Sequence, residues 1–252
     1  MGADGPLTRS PRGRAAAVPD TARSGRVAGV DGCPGGWLVV RTGATAAPSR
    51  VEVVASIVDL IDEARRGLLD AVAIDMPMGL PSTTPRASDA ALRARLGPRR
   101  ASLFPTPPRV VLEAIDYADA CARARACWGK ALSRQAWNLV PKIRALDAAI
   151  DPSLQDVVAE AHPETSFAVL AGAPLRHPKS TAAGRQERRD ALAPWFADID
   201  AHLDRPPRGA SPVDVLDGFA AAWTARRIAA GTADWEGGDE RDERGLAMRV
   251  AI

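Results

Sequence analysis

Two apolar runs separated by a short polar turn constrain this chain more than any other feature. "RVAGV" (26–30) and "WLVV" (37–40) flank "DGCPGG" (31–36), which reads as two strands joined by a tight hairpin. "RVEVVAS" (50–56) reads as a third strand. "IVDLIDEARRGLL" (57–69) sets Val58, Leu60, Ile61 and Leu68 at helical spacing, and "DAVAIDMP" (70–77) is a fourth strand. Short turns favour antiparallel pairing of the first three strands, and the helix permits a parallel crossover into the fourth. The first and fourth runs both end in an aspartate, Asp31 and Asp75. A carboxylate at the end of a buried strand destabilises it unless something pairs with it.

Residues 78–155 are dense in Pro, Arg and Ala, with helices expected over 86–96, 109–127 and 133–150. "DVVAEAHPE" (156–164) supplies a fifth strand, followed by a short helix in "TSFAVLAG". A helix over 179–196 has Ser180 or Thr181 as its N-cap. The clearest helix spans 211–231, with Ser211 as cap, Pro212 in the first turn and Gly231 at its end. "ERGLAMRVAI" suggests one short edge strand. The expected organisation is a disordered tail over 1–25, one domain over 26–231 with a helical insertion at about 81–155, and a C-terminal tail over 232–252.

At 252 residues, 46% hydrophobic and 25% charged, the chain has room for one large domain with an ordinary core. No apolar run approaches the roughly 18–20 residues of a membrane span. The first 24 residues are rich in Arg, Ala, Pro and Ser without an apolar segment, unlike a secretory signal; a transit-like segment is the other reading. Cys33, Cys121 and Cys127 show no metal-knuckle or disulfide spacing. A cytoplasmic location is the expectation.

Glycines behind a strand suggest phosphate binding, yet neither standard pattern fits. The dinucleotide fingerprint needs G-x-G-x-x-G opening a helix, whereas here the spacing differs and a strand follows. The Gly-Lys-Ser/Thr ending of a P-loop is absent. Asp31 either accepts hydrogen bonds from its own turn or faces a cation. If the first and fourth strands are parallel neighbours, Asp31 and Asp75 emerge side by side, and like charges that close need a cation. Asp214 and Asp217 share a face of the last clear helix, although acids also suit a helix start for dipole reasons. Glu160 ends the fifth strand, with His162 and Glu164 following. Convergence of these acids is what two-metal phosphodiester hydrolysis requires.

"GVDGCPGGW", "AIDMPMGLP", "RLGPRRASLFPTPPR", "SRQAWNLVPKI", "EAHPETSFAVLAG" and "DVLDGFAAAWTA" together resemble the bacterial and archaeal domain-of-unknown-function family 429. That family is regarded as a predicted nuclease group with a ribonuclease H-like fold. The resemblance implies an α/β fold: a mixed five-stranded sheet in the order 3-2-1-4-5 with helices on both faces. In the wider superfamily, catalytic acids lie on the first strand, at the end of the fourth and on the last helix. The Asp-x-x-Asp pair looks like the ending of Holliday-junction resolvases, although those generally carry Glu at the fourth strand. By position, the resemblance makes Asp31, Asp75, Asp214 and Asp217 ligands for Mg²⁺ or Mn²⁺. It makes Glu160, His162 and Glu164 accessory ligands or proton carriers.

Residues 86–144 hold twelve Lys and Arg against four Asp and Glu, in a chain whose net charge is only +2. Arg93, Arg95, Arg99, Arg100 and Arg109, with Lys179, are candidate contacts to a nucleic-acid backbone. The alternative is an Arg-rich solvated helix face. The leading expectation is a metal-dependent nuclease. The alternatives are a phosphotransferase of the actin-like kinase type, for which no second glycine-rich phosphate loop is found, and a non-catalytic nucleic-acid-binding module.

Overall fold

Seven strands form one mixed sheet in the computed structural model, which describes residues 26–43, 48–83 and 85–252. The expected tail over 1–25 lies outside the described residues. Strands β1 (Val27–Cys33), β2 (Gly36–Thr42) and β3 (Arg50–Val54) pair antiparallel in sequence. Helix α1 (Val58–Arg65) crosses over to β4 (Ala71–Ile74), which lies parallel to β1, as the short turns and the long crossover demand. The insertion follows: α2 (Ala87–Leu96), 3-10 turns over Gly97–Ser102 and Arg109–Glu113, α3 (Tyr117–Trp128) and α4 (Arg134–Ala149). The helix expected over 109–127 is thus a 3-10 turn and a separate α-helix. Asp116 starts the latter by accepting from the Asp119 N–H.

Strand β5 (Val158–Ala161) pairs parallel with β4. It leads into α5 (Pro163–Leu170), α6 (Ala182–Leu192), α7 (Ile199–Asp204) and α8 (Pro212–Ala229). Thr181, not Ser180, caps α6. The five-stranded expectation is corrected by the last residues. β6 (Trp235–Glu236) and β7 (Val250–Ala251) extend the order to β3-β2-β1-β4-β5-β7-β6. β7 is an interior strand, parallel to β5 and antiparallel to β6, and Val250, Ala251 and Ile252 are fully buried. The stretch 232–252 therefore closes the sheet and is no free tail.

Side-chain alternation sorts the sheet into two faces. Ala28, Val30, Val72, Ile74 and Val158 pack with α1 and α4 residues such as Leu60, Ile61, Ile143 and Leu146. On the other face, Val27, Ala71, Ala73 and Ala161 meet Ala221 and Ala225 of α8. Small residues let α8 lie unusually close to β1. A Cβ on Gly29 would fall 2.0 Å from the Ala222 N and 2.3 Å from the Gly218 O.

Candidate active site

Three aspartates converge on the α8 face of the sheet at the carboxyl ends of parallel strands. In β1, Val27 and Gly29 face α8, so alternation turns Asp31 the same way. In β4, Ala71 and Ala73 face α8, and Asp75 follows directly with the same parity. Asp217 comes from the first turns of α8 and is buried, one turn ahead of Ala221. Crevices at these strand ends are where open α/β sheets bind ligands.

The three carboxyls disturb one another. Burial, then the charges of Asp75 and Asp217, push Asp31 well above the usual carboxylate range. Burial and Asp217 push Asp75 up to about 7. Burial also raises Asp217, against the lowering pull of Lys179. The Lys179 Nζ donates to Asp217 Oδ2 at 2.6 Å. Burial acts to lower the Lys179 pKa, but Asp217, Asp75 and Asp31 outweigh it and hold the ammonium charged. Asp217 Oδ1 is closed to solvent and has no partner.

The other expected acids have different settings. Asp214 is the N3 residue of a capping box: its carboxylate accepts from the Ser211 N–H at 2.7 Å, and its own N–H donates to Ser211 Oγ. It therefore starts α8, which accounts for this acid without a metal. Glu160 pairs in register with Ile74, so alternation puts it on the sheet face opposite Asp31 and Asp75. There the buried Arg86 donates to its two oxygens at 2.6 and 2.7 Å, and the Met78 N–H donates at 2.8 Å. Glu164 is paired with the buried Arg188, with Arg99 at 3.7 Å. His162 is the N-cap residue of α5; burial lowers its pKa to about 4, and its Nδ1 is buried without a partner.

Most of the expected nucleic-acid contacts are spent within the fold. Arg93 donates to the Leu103 carbonyl, Arg95 pairs with Glu236, and Arg109 joins Asp147 to the buried Asp242. Arg109 and Arg95 thus tie the insertion to the C-terminal segment, through Asp242 in the loop before β7 and Glu236 in β6. Arg100 is exposed at the end of a 3-10 turn.

A cleft of about 380 Å³ opens above the aspartates. Asp31, Asp75, Lys179, His162 and Glu164 form its polar side. Its apolar side is the strap Leu103–Pro107, part of the block "RLGPRRASLFPTPPR" to which the sequence reading gave no role at the site, facing Leu139 of α4. The strap is anchored. Asp89 accepts from the Thr106 N–H at 2.9 Å and in turn from Arg86 at 2.6 Å, so Arg86 links the strap to Glu160 on β5. Arg86 and Arg188 were also unremarked in the sequence; two arginines followed or preceded by buried acids gave no periodic signal. A Cβ on Gly32 would sit 2.8 Å from the flexible Lys142 side chain, which can move aside.

Among the described residues, no three His, Cys, Asp or Glu side chains are grouped so as to hold a metal ion. The donor chemistry nevertheless suits a hard divalent cation. Mg²⁺ is commonly held by one or two carboxylates plus waters and phosphate oxygens. Asp31, Asp75 and the unpartnered Asp217 Oδ1 supply such oxygens; burial first, and the neighbouring carboxylates second, raise the pKa values of Asp31 and Asp75.

Among the described residues no helix is long and apolar enough to cross a membrane. The family described as "Protein of unknown function (DUF429)" matches residues 29–241, and the chain belongs to it. No curated protein and no solved structure matches the chain.

Proposed function

We propose that this member of the DUF429 family is a divalent-metal-dependent phosphodiester hydrolase, with a ribonuclease H-like arrangement of its sheet and nucleic acid as its substrate class. The observation that carries the reading is the meeting of Asp31, Asp75 and Asp217, from β1, the end of β4 and α8, beside one lysine. The neighbouring run β3-β2-β1-β4-β5 supports the fold assignment.

Asp31, Asp75 and Asp217 Oδ1 would hold the cation. Bound Mg²⁺ or Mn²⁺ supplies an acidified water and polarises a phosphoryl oxygen. In hydrolysis, a water oxygen bonds to phosphorus as the ester P–O bond breaks; the attacking water's proton passes to solvent water in the open cleft, and the leaving oxygen takes a proton from solvent water, giving a monoester and an alcohol. Lys179, with 46% of its side chain exposed, is able to donate to a non-bridging phosphate oxygen. His162 stays neutral near pH 7 because its pKa is about 4, so it hydrogen-bonds and does not serve as an imidazolium acid.

The test is calorimetric titration of Mg²⁺ and Mn²⁺ into the wild type and Asp31→Asn, with hydrolysis screened on single-stranded, duplex, hybrid and junction substrates. Metal binding and cleavage in the wild type, both lost in the variant, are expected. A wild type that binds neither ion would overturn the assignment and return Asp31 to a turn-stabilising role.

A further inference from the structure

The cleft is small and two-sided. Its volume, about 380 Å³, lies near the lower end of small-molecule sites, roughly 300–1,000 Å³. The acids and Lys179 form one side, while Phe104, Pro105, Pro107 and Leu139 form the other. Phe104 is 41% exposed, an aromatic face left open at the cleft. An exposed aromatic beside a phosphate-directed site is the arrangement on which an unpaired base stacks.

Three further observations agree. The strap that carries Phe104 is held before any ligand arrives, by the Thr106–Asp89–Arg86–Glu160 chain and by Arg93 on the Leu103 carbonyl. The basic residues that would track a long backbone are instead paired internally, notably Arg95 and Arg109. The buried Nδ1 of His162, which lacks a partner, belongs to a ring lining the same cleft.

We propose that the cleft admits a single unpaired nucleotide unit, its base against Phe104 and the proline-rich strap and its phosphate toward Asp31, Asp75 and Lys179. This deepens the hydrolase reading and rests on it. The unit is either one nucleotide of a single strand or one nucleotide of a small free diester such as a dinucleotide, and both share the same base-and-phosphodiester chemistry. A base within a duplex enters only after leaving the stack, which costs energy that an unpaired base does not spend.

The test measures equilibrium binding, with Mn²⁺ present, of a nucleoside monophosphate, a short single-stranded oligonucleotide and a covalently closed duplex. The proteins are the wild type, Phe104→Ala and Phe104→Trp, each checked for unchanged thermal unfolding. Single-stranded binding should exceed duplex binding. It should weaken by about 5- to 150-fold in Phe104→Ala and be retained in Phe104→Trp. The monophosphate arm identifies the source: binding comparable to the oligonucleotide's shows that one unit supplies the affinity and points to small free diesters, and much weaker binding points to a strand. Equal affinity for duplex and single strand, or single-strand binding indifferent to Phe104→Ala, would overturn the inference. The hydrolase reading is read separately, from Mn²⁺ binding and wild-type turnover of methyl para-nitrophenyl phosphate, a diester without a base. If that reaction proceeds while the stacking result fails, only the substrate assignment falls.

Discussion

Replacing Asp75 by Asn should stabilise the metal-free protein, and the gain should grow with pH. The Asp75 carboxyl is raised from 3.8 to about 7, first by burial and then by Asp217. Each unit is worth about 1.36 kcal/mol, so the full shift corresponds to roughly 4 kcal/mol. Asp75 is only half-buried and lines the cleft, where water screens it, so about 2 kcal/mol is the working figure. The sign follows from proton counts. As pH rises above about 4, the unfolded chain releases this proton while the folded protein keeps it until about 7. Over that window the folded state binds more protons, and stability falls with increasing pH. Asn has no such proton, and its amide also removes a charge that raises Asp31. Urea unfolding in chelator should therefore give similar pH dependence below about pH 4 and a widening advantage for Asp75→Asn, near 2 kcal/mol, above about pH 7. Saturating Mg²⁺ should shrink or reverse the advantage, because only the wild type keeps the full carboxylate set. An Asp75→Asn profile parallel to the wild type's, or an advantage that shrinks as pH rises, would refute the charge-cluster argument.

Under the proposed metal chemistry the same carboxyl would link binding to protons: Mg²⁺ affinity should rise as pH increases toward about 7 and then level, with proton release seen by calorimetry in buffers of different ionisation enthalpy. Arg86→Met leaves Glu160 and Asp89 buried without their cation and should cost about 3–5 kcal/mol in urea unfolding; adding Glu160→Gln should recover part of it. Gly29→Ala places a methyl against the backbone of α8 and should cost about 1–3 kcal/mol by the same measurement, whereas Gly67→Ala, with open space around the added carbon, pays only for its left-handed φ of 68°.

Strand parity explains much of what was legible. The hairpin, the crossover and the positions of Asp31 and Asp75 followed from apolar runs whose lengths and turns left few topologies. The same parity count separates Glu160 from those two aspartates, since it aligns with Ile74, and the separation needs the β4–β5 register that sequence does not supply. Asp214 carried a readable signal: Ser211 three residues before it is the spacing of a capping box. β6 and β7, two residues each, are too short for any periodicity, and their burial depends on partners far away in the chain. The pairing of Arg95 with Glu236 and of Arg109 with Asp242 was hidden for the same reason: a charge count cannot tell a solvated arginine from one consumed by a distant acid.

The close seating of α8 on β1 acts as a shim of zero thickness. Asp217 lies five residues before Ala222 on one continuous helix, about 7.5 Å along a stiff rod, so the spacing at Gly29 fixes how far this carboxylate stands from the other two. A methyl group inserted at Gly29 would act as a lever, lifting the helix and with it Asp217, while leaving every cleft side chain chemically intact. If the proposed hydrolase reading holds, misplacement by about 1 Å would cost on the order of 100-fold in rate. Position 29 is therefore where this chain sets the distance of Asp217 from Asp31 and Asp75.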